Sequence, residues 1–334
     1  MSRKRPPHRS KQRLQQTLAP ENISLDDARR SGLVISRFGA NLDVEDETGR
    51  VYRCTSRRKH GAIVCGDRVV WTLTHDNHGV IIERQERSTF LARPDDVGRE
   101  KAIAANIDQL IIVSTVKALN DEGYRFHHNL IDRYFVAAEN LGITPVLIVN
   151  KIDLLNEEEQ ARLQRDTACY SDIGYQVLQT STEQTHGLEA LTEQLSRHTS
   201  IFVGESGVGK SSIIRHLLPE TEIRVGEVSA SSGKGKHTTT AAVLYHLKDG
   251  GDLIDSPGVR EFGLSLVEKI SLAHCFKEFR SYIGQCKFHN CTHQSEPKCA
   301  VKQAIAAKKI SQRRYDNYIK IMASDEMKGT SINS

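Results

Sequence analysis

The pattern of hydrophobic and polar positions changes along the chain, and its first part is an alternation with a period close to two. From Gly32 to Ile82, apolar residues recur at alternate positions or in short runs between polar residues. Turn sequences interrupt this pattern at residues 46–49, 66–67 and 75–79. About five short strands in a segment of this length are typical of a small closed barrel. We therefore predict an OB-like β-barrel over residues 33–90.

The second part, residues 100–262, alternates apolar runs with stretches of helical spacing. Buried strands are predicted at 109–114, 145–149, 175–178, 200–203, 242–247 and 252–254. Helices are predicted at 127–141, 157–170, 187–198 and 210–218. Strands that alternate with helices form a parallel sheet with helices on both faces. This part is therefore predicted to be a single α/β domain.

The two ends of the chain are polar and basic. Residues 1–13 contain six Lys or Arg and no acid, and residues 302–320 contain six against one acid, Asp316. We predict a flexible basic arm over residues 1–32, and a mainly α domain with basic C-terminal helices over residues 263–334. Basic ends are typical of RNA-binding proteins, although a solvated tail has the same composition. The same two interpretations apply to the barrel loop 57–60, which reads Arg-Arg-Lys-His.

Composition adds the cellular setting. The 334 residues are 38% hydrophobic and 26% charged, as in soluble globular proteins. No apolar stretch is long enough to cross a bilayer, and no apolar segment follows the N-terminal charges. Seven cysteines without an export signal indicate metal binding rather than disulfides. We expect a cytoplasmic protein that is a monomer and has no membrane partner.

A phosphate-binding loop follows the predicted strand 200–203 and opens the predicted helix 210–218. The run is Gly204, Glu205, Ser206, Gly207, Val208, Gly209, Lys210, Ser211 and Ser212. Its glycines allow backbone N–H groups to surround a phosphate, and the helix N-terminus adds partial positive charge. Lys210 is the candidate for binding the β- and γ-phosphates, and the Ser211 hydroxyl is the candidate ligand of Mg²⁺.

A second motif, N-K-x-D, indicates which base is bound. Asn150, Lys151, Ile152 and Asp153 directly follow a buried strand, at the sheet edge where ligands bind. A carboxylate at Asp153 accepts the paired N–H donors of guanine, which adenine lacks. Asn150 can bond the other purine edge, and the stem of Lys151 can lie over the ring. Ser181 and Thr182, after the strand at 175–178, are candidates for the loop that closes over the base.

A third motif contains the remaining hydrolytic candidates. Asp255 fits the carboxylate linked to Mg²⁺ in phosphate-loop enzymes, and the Gly258 N–H fits a γ-phosphate sensor. The run 233–240, Gly-Lys-Gly-Lys-His-Thr-Thr-Thr, resembles a switch loop in which Thr239 adds a ligand to Mg²⁺. His237 in that loop is a candidate for positioning the attacking water, and support of loop folding or contact with RNA are equal alternatives.

The order of these motifs is permuted. A GTPase usually runs from the phosphate loop through the switch Thr and D-x-x-G to N-K-x-D, whereas here N-K-x-D comes first. The permutation connects the segment after Gly258 directly to the C-terminal domain. Val259 follows Gly258 where a Gln would orient water, so slow intrinsic hydrolysis is expected.

A fourth motif predicts a metal site in the C-terminal domain. Cys286, Cys291, His293 and Cys299 offer four ligands in the spacing C-x4-C-x-H-x5-C. Such a set is typical of one closed, structural Zn²⁺ site. The alternative is three buried thiols beside a surface histidine. His289 is a spare ligand, and Cys54, Cys65, Cys169 and Cys275 are expected to be core residues.

Together these motifs resemble the RsgA (YjeQ) family, the circularly permuted small ribosomal subunit biogenesis GTPases. The resemblance extends from about residue 33 to 320 and includes the barrel. It implies an OB-like barrel, a permuted α/β GTPase domain and a zinc-binding domain. It also implies that GTP is hydrolysed to GDP and phosphate in late 30S subunit maturation, that the subunit stimulates turnover, and that the barrel and zinc domain contact 16S rRNA.

Two alternatives to this function remain open. One is an rRNA-binding assembly factor that uses GTP as a ligand with negligible turnover, and Val259 is the residue that favours it. The other is an ATPase, which the carboxylate of Asp153 argues against. Intact Lys210, Ser211 and Asp255 favour a GTP hydrolase.

Overall fold

The structure is a computed structural model, and it describes residues 29–56, 61–74, 78–94, 100–117, 123–219, 242–256, 267 and 269–324. Several predicted features lie outside these residues. They are the N-terminal arm up to residue 28, the basic loop 57–60 and the candidates His237, Thr239 and Gly258.

The first five strands close into the predicted barrel. They are β1 (Arg30–Phe38), β2 (Asn41–Glu45), β3 (Val51–Ser56), β4 (Arg68–Leu73) and β5 (Gly79–Arg84). Neighbours follow the order β1-β2-β3-β5-β4, and pairing of β1 with β4 completes the ring. The alternating apolar residues fill the interior, with Val34, Val44, Cys54, Val69, Trp71 and Ile81 all fully buried. Closure leaves no free strand edge, which stabilises so small a sheet.

A two-stranded hairpin that the sequence pattern did not predict follows the barrel. It consists of β6 (Phe90–Pro94) and β7 (Glu100–Ala105). Its second strand lies against the barrel, where the Ala105 N–H donates to the Cys65 carbonyl at 2.9 Å. At Gly66 a Cβ would lie 2.1 Å from the Ala105 carbonyl oxygen, so only glycine allows this approach. The alanine-rich β7 gives a weak sequence signal because alanine is depleted in strands.

The central domain has the predicted parallel sheet. Its strands are β8 (Gln109–Ser114), β9 (Thr144–Asn150), β10 (Gln176–Thr180), β11 (Thr199–Val203), β12 (Val243–His246) and β13 (Asp252–Asp255). Their order is β10-β9-β8-β11-β13-β12, and among these pairs only β12–β13 is antiparallel. Four helices cover the sheet: α1 (His128–Leu141), α2 (Glu157–Ser171), α3 (Glu189–Leu195) and α4 (Lys210–Leu217).

Alternate residues of the central strands enter two separate cores, one on each face of the sheet. On one face Ile112 and Leu147 pack with Phe135 of α1 and Leu163 of α2. On the other face Ile111, Val113, Val146 and Ile148 pack with Leu191 of α3 and Ile213 of α4. Burial on both faces explains why these strands read as unbroken apolar runs in the sequence.

The C-terminal region is mainly helical, as predicted. It contains 3-10 turns at Lys269–Cys275 and Lys277–Phe279, and the helices α5 (Ala300–Ala306) and α6 (Gln312–Met322). In its core Phe276 and Phe279 stack on each other, and Tyr318 meets both rings edge to face. Val136 of α1 belongs to the same cluster. The domain is therefore docked on α1. Among the helices in the described ranges, none is long and apolar enough to cross a membrane.

Strand pairing joins the barrel to the central sheet. Ser36 of β1 pairs with Val243 of β12, so the strands form one continuous sheet. Beside this pair, His246 donates to both domains: its Nε2 lies 2.6 Å from Glu45 of the barrel and its Nδ1 lies 2.6 Å from Asp252 of β13. Hydrogen bonding to Asp252 raises the pKa of His246 to about 9; partial burial opposes this, and Glu45 adds to it.

This junction predicts a pH-dependent contribution to stability. Because the pKa of His246 is raised in the folded state, its stabilising effect is complete below the unfolded-state pKa of about 6.5. The effect decreases as pH rises and is lost above about 9. Since His246 is half exposed, we expect it to contribute less than about 1 kcal/mol.

The measurement is urea unfolding of wild type and His246→Gln at pH 6, 8 and 10. The variant should be less stable at pH 6 and equal to wild type at pH 10. His198→Gln is the control, because the His198 ring bonds a carbonyl, that of Ser196, instead of a carboxylate. An equal difference between wild type and His246→Gln at all three pH values would contradict the prediction.

Candidate functional site

The phosphate loop lies between β11 and α4 and is shaped by two glycines that approach other strands. Gly204 has a φ of +138°, and a Cβ there would lie 2.1 Å from the Val113 carbonyl oxygen. Gly209 has a φ of +101°, and a Cβ there would lie 2.2 Å from Nδ2 of Asn150. Both conformations and both contacts require glycine. The loop is thus seated directly against β8 and the end of β9.

Lys210 and the two following serines begin α4. The Lys210 ammonium donates to the carbonyl oxygens of Gly204 at 2.7 Å and Glu205 at 2.5 Å. It therefore lies over the loop, at the place where phosphate oxygens would meet the backbone N–H groups. Ser211 and Ser212 stand in the first turn of α4, whose N-cap is Gly209. The Ser211 side chain is exposed.

Asn150 links the phosphate loop to the end of β10. The sequence did not reveal this link. Its buried amide donates from Nδ2 to the Val208 carbonyl at 2.9 Å. Its Oδ1 accepts from the Thr180 hydroxyl at 3.1 Å. The bond from Asn150 to a purine stays a prediction, with one of its two Nδ2 hydrogens engaged by the phosphate loop. Lys151, with a left-handed φ of +64°, donates from Nζ to the Gly207 carbonyl at 2.6 Å.

The acid of the N-K-x-D motif is oriented by a serine from the neighbouring strand. Ser181 is fully buried, and its hydroxyl donates to Oδ1 of Asp153 at 2.5 Å. The same hydroxyl accepts the Glu183 N–H at 3.1 Å. Asp153 lies on a 3-10 turn, Ile152–Leu154, where Ile152 packs on the core. Thr182 instead contacts Glu183 through its hydroxyl, at 3.4 Å.

Asp255 ends β13 at the same edge of the sheet. β13 pairs with β11 through Ile254 and Ile201, two residues before β11 ends and leads into the phosphate loop. The parallel strands β9, β10, β11 and β13 therefore bring the N-K-x-D motif, Ser181, the phosphate loop and Asp255 to one edge. This is the edge where open α/β sheets bind ligands.

Two contacts to the phosphate loop come from α1 and its preceding residue, and the sequence gave no sign of them. His127 Nδ1 lies 2.9 Å from the Glu205 carboxylate, with both side chains about half exposed. The buried Tyr134 shares a hydrogen bond with the Gly204 backbone; burial raises the pKa of Tyr134 and this bond opposes the rise. A histidine before a helix and a tyrosine on an apolar helix face look like ordinary residues in a sequence.

The predicted metal ligands converge in the C-terminal domain. The ligand atoms of Cys286, Cys291, His293 and Cys299 all lie within 4.8 Å of one another. Sγ of Cys286 lies 3.9 Å from Sγ of Cys299 and 3.6 Å from Nδ1 of His293. A tetrahedral ion with metal–sulfur bonds of about 2.3 Å would separate its sulfur ligands by about 3.8 Å. The four residues thus fit a closed tetrahedral metal site, and His289 is not part of the cluster.

Hydrogen bonds fix the loop that carries these ligands. The tyrosine hydroxyls of α6 donate to its backbone, Tyr315 to the His293 carbonyl at 2.8 Å and Tyr318 to the Thr292 carbonyl at 2.7 Å. Glu296 accepts from the hydroxyl and N–H of Thr292. Burial alone would raise the pKa of Glu296, but these and neighbouring hydrogen bonds lower it to about 2. The remaining cysteines behave as expected, with Cys54, Cys65 and Cys275 buried and Cys169 half-buried.

Comparison with known proteins agrees with this geometry. A model of the RsgA GTPase family matches residues 84–265. The small ribosomal subunit biogenesis GTPase RsgA 1 of Vibrio vulnificus (strain YJ016) is 46% identical over 313 residues, which cover 92% of this chain and 87% of that protein.

Two solved structures are similar over most of their length. The crystal structure of YjeQ from Thermotoga maritima matches with a TM-score of 0.73 at 34% identity, covering 88% of this chain and 98% of that one. The structure of YloQ, described as a circularly permuted GTPase, matches with a TM-score of 0.71 at 29% identity, covering 88% and 94%. The resemblance seen in the motifs is thereby confirmed, and this chain belongs to the RsgA GTPase family of GTP-hydrolysing enzymes.

Proposed function

We propose that this GTPase acts in late maturation of the 30S ribosomal subunit and that the subunit stimulates its turnover. The relatives it matches are named small ribosomal subunit biogenesis GTPases, which supports the partner. One geometric observation carries the catalytic part. The Asp153–Ser181 pair, the phosphate loop with Lys210, and Asp255 occupy one edge of a parallel sheet. Base recognition, phosphate binding and hydrolysis can therefore act on one nucleotide.

The proposed roles follow from the chemistry of each group. Asp153, held by Ser181, accepts the N–H donors of guanine, while the backbone of residues 204–212 and Lys210 bind the phosphates. Asn150 and Lys151 fasten the base-reading loop to the phosphate loop, and residues 181–182 close over the base. When bound with GTP, Mg²⁺ supplies charge neutralisation at the β- and γ-phosphates. Its proposed protein ligand is Ser211, with Thr239 as a second and Asp255 linked to the ion.

Stimulation by the subunit is proposed because the chain lacks a glutamine where it is needed. Val259 follows the γ-phosphate sensor Gly258, and an aliphatic side chain cannot orient water. His237 is the proposed water-positioning residue, brought into use on the subunit. The same proposal includes contact with 16S rRNA through the barrel and the basic C-terminal domain. It also includes a monomeric state, a cytoplasmic location and domain boundaries at residues 33, 100 and 263.

The test is GTP turnover by the purified chain alone, with 30S subunits and with 50S subunits. We expect slow hydrolysis alone, a rise of at least about ten-fold with 30S subunits and no rise with 50S subunits; an arginine supplied in trans gives 10³–10⁵ in related chemistry. Equal rates in all three reactions would overturn the proposal and favour the alternative of a GTP-liganded rRNA-binding factor.

A substitution tests base recognition. In Asp153→Asn the side-chain oxygen can still accept from Ser181, so the local structure is preserved while an acceptor for guanine becomes an N–H donor. We expect affinity for GTP to fall about 10- to 100-fold, since a hydrogen bond to a charged group contributes about 1.5–3 kcal/mol. Xanthosine triphosphate, which carries a carbonyl in place of the guanine amino group, should bind better to the variant than GTP does.

Nucleotide affinities can be measured by competition against a fluorescent GDP. Asp172→Asn, at the exposed end of α2, is the control and should retain the GTP preference of wild type. An unchanged order of GTP, ATP and xanthosine triphosphate in Asp153→Asn would refute base reading by Asp153.

We also propose that the Cys286, Cys291, His293 and Cys299 cluster binds one structural Zn²⁺. The donor set, three thiolates and one imidazole, is the set that zinc prefers in closed sites. The four donors fill the coordination positions, and the hydrogen bonds from α6 hold the histidine and its loop in place. The ion would fix the loop 286–299 to α6 and take no part in hydrolysis.

Metal content tests this assignment. The wild-type chain should contain about one zinc by mass spectrometry of the metal, and Cys299→Ala should contain almost none and unfold at lower temperature. Cys275→Ala is the control, because Cys275 is a buried thiol of the same domain outside the cluster. Zinc content in Cys299→Ala equal to that of the control would contradict the assignment.

A further inference from the structure

Helix α1 is in contact with both the catalytic sheet and the C-terminal domain. On one side Ile131, Phe135 and Ala138 pack in the core that α1 shares with the sheet. On the other side Val136 belongs to the core of the C-terminal domain. A helix packed on both sides moves as one unit, so a shift imposed on one side is felt on the other.

A buried polar network fixes α1 to helix α6. Asp132 is fully buried and accepts from Arg314 Nη1 at 2.5 Å and from Asn317 Nδ2 at 2.5 Å. Arg314, itself buried, also bonds Glu278 at 2.7 and 3.1 Å. A buried ion pair contributes little net stability but tolerates little displacement, because any slip leaves a desolvated charge without its partner. The network therefore sets the position of α1 along α6.

One turn earlier, the same helix face makes a second contact with α6. His128 Nε2 accepts from Arg313 Nη1 at 2.6 Å, and its Nδ1 lies 3.2 Å from the Tyr170 hydroxyl. Burial and the Arg313 charge lower the pKa of His128 to about 4, so the ring is neutral and can accept this bond. Arg313 is further held by the carbonyl and carboxylate of Asp166 on α2.

The neighbouring residues of α1 reach the phosphate loop. His127, directly before His128, contacts the Glu205 carboxylate at 2.9 Å, and Tyr134 bonds the Gly204 backbone. The carbonyls of Gly204 and Glu205 are the two acceptors of the Lys210 ammonium. Adjacent residues at the start of α1 therefore contact Arg313 of the C-terminal domain and Glu205, whose carbonyl is one of the two acceptors of Lys210.

We propose that the docking of α6 on α1 sets the position of the phosphate loop, so that Arg313 is a positioning residue for nucleotide binding. The route runs from Arg313 through His128 and His127 to Glu205, and it is separate from the covalent connection through residues 257–266. The inference rests on the proposed function in one respect, namely that the loop binds GDP and GTP. By thermodynamic linkage, bound nucleotide must make the docking of α6 on α1 more favourable by the same free energy by which docking favours nucleotide binding.

The test is the affinity for a fluorescent GDP in Arg313→Ala, His127→Ala and the double variant. We expect Arg313→Ala to weaken binding roughly 2- to 30-fold, the range found for substitutions that modulate coupling between sites. In the His127→Ala background the same substitution should have at most half that effect on a logarithmic scale, because the route is already broken. Arg313→Lys, which keeps the charge and a donor, should recover part of the affinity.

The matched control is Arg280→Ala. Arg280 also joins the C-terminal domain to α1, by a contact with Glu139 at 2.6 Å, but at the end of the helix opposite to His127. Its side chain is 44% exposed, against 34% for Arg313, so the two truncations cost similar packing. Arg280→Ala should bind GDP as wild type does. Equal affinities in wild type, Arg280→Ala and Arg313→Ala would overturn the proposal, as would equal losses in both variants.

Hydrogen exchange of the wild-type chain supplies a test that needs no folded variant. GDP should slow amide exchange in α6 and leave barrel strand β3 unchanged. Unchanged exchange in α6 at saturating GDP would overturn the inference. Failure of the proposed function is a different result, because a wild-type chain that binds no guanine nucleotide would give no GDP affinity to compare.

Discussion

The structure of the site depends on how closely the phosphate loop approaches the strands beneath it. Gly204 lies against the Val113 carbonyl and Gly209 against the Asn150 amide, at distances that no Cβ could enter. This approach lets the buried Asn150 hydrogen-bond the loop backbone at Val208 while its oxygen holds Thr180. Three loops from separate strands are thereby fastened by one side chain, and the base-reading and phosphate-binding parts become one rigid unit.

Because the base-reading and phosphate-binding loops form one rigid unit, a domain packed against one part of it can shift the whole unit. The barrel is joined to the sheet through the Ser36–Val243 pair and His246, close to the strand that ends in Asp255. The C-terminal domain is joined through α1, which also touches Gly204 and Glu205. The barrel is therefore linked through His246 to β13, which ends at the edge of the sheet that holds the phosphate loop. The C-terminal domain contacts α1, which begins beside that loop. This arrangement is consistent with the proposed response of the GTPase to the ribosomal subunit.

Much of the fold follows from residue pattern. The alternation that predicts the barrel arises because each strand buries one face, and the unbroken apolar runs arise because the central strands bury both. The Cys/His cluster and the nucleotide motifs were identifiable because their chemistry requires particular residues at short spacings. The hairpin at Phe90–Pro94 and Glu100–Ala105 was missed because its alanines have a weak preference for strands and its packing depends on Gly66, far away in the chain.

The sequence by itself determined which chemical groups are present: a phosphate-loop motif, the N-K-x-D motif with Asp153, the carboxylate of Asp255 and three thiols with one imidazole. These motifs are local, so their spacing alone carries the information. Only the tertiary structure decided that Asn150 fastens the loops, that Ser181 orients Asp153, and that α1 stands between Arg313 and Glu205. Such contacts join residues distant in the chain, and they exist only once packing of the sheet and helices has fixed where each side chain points.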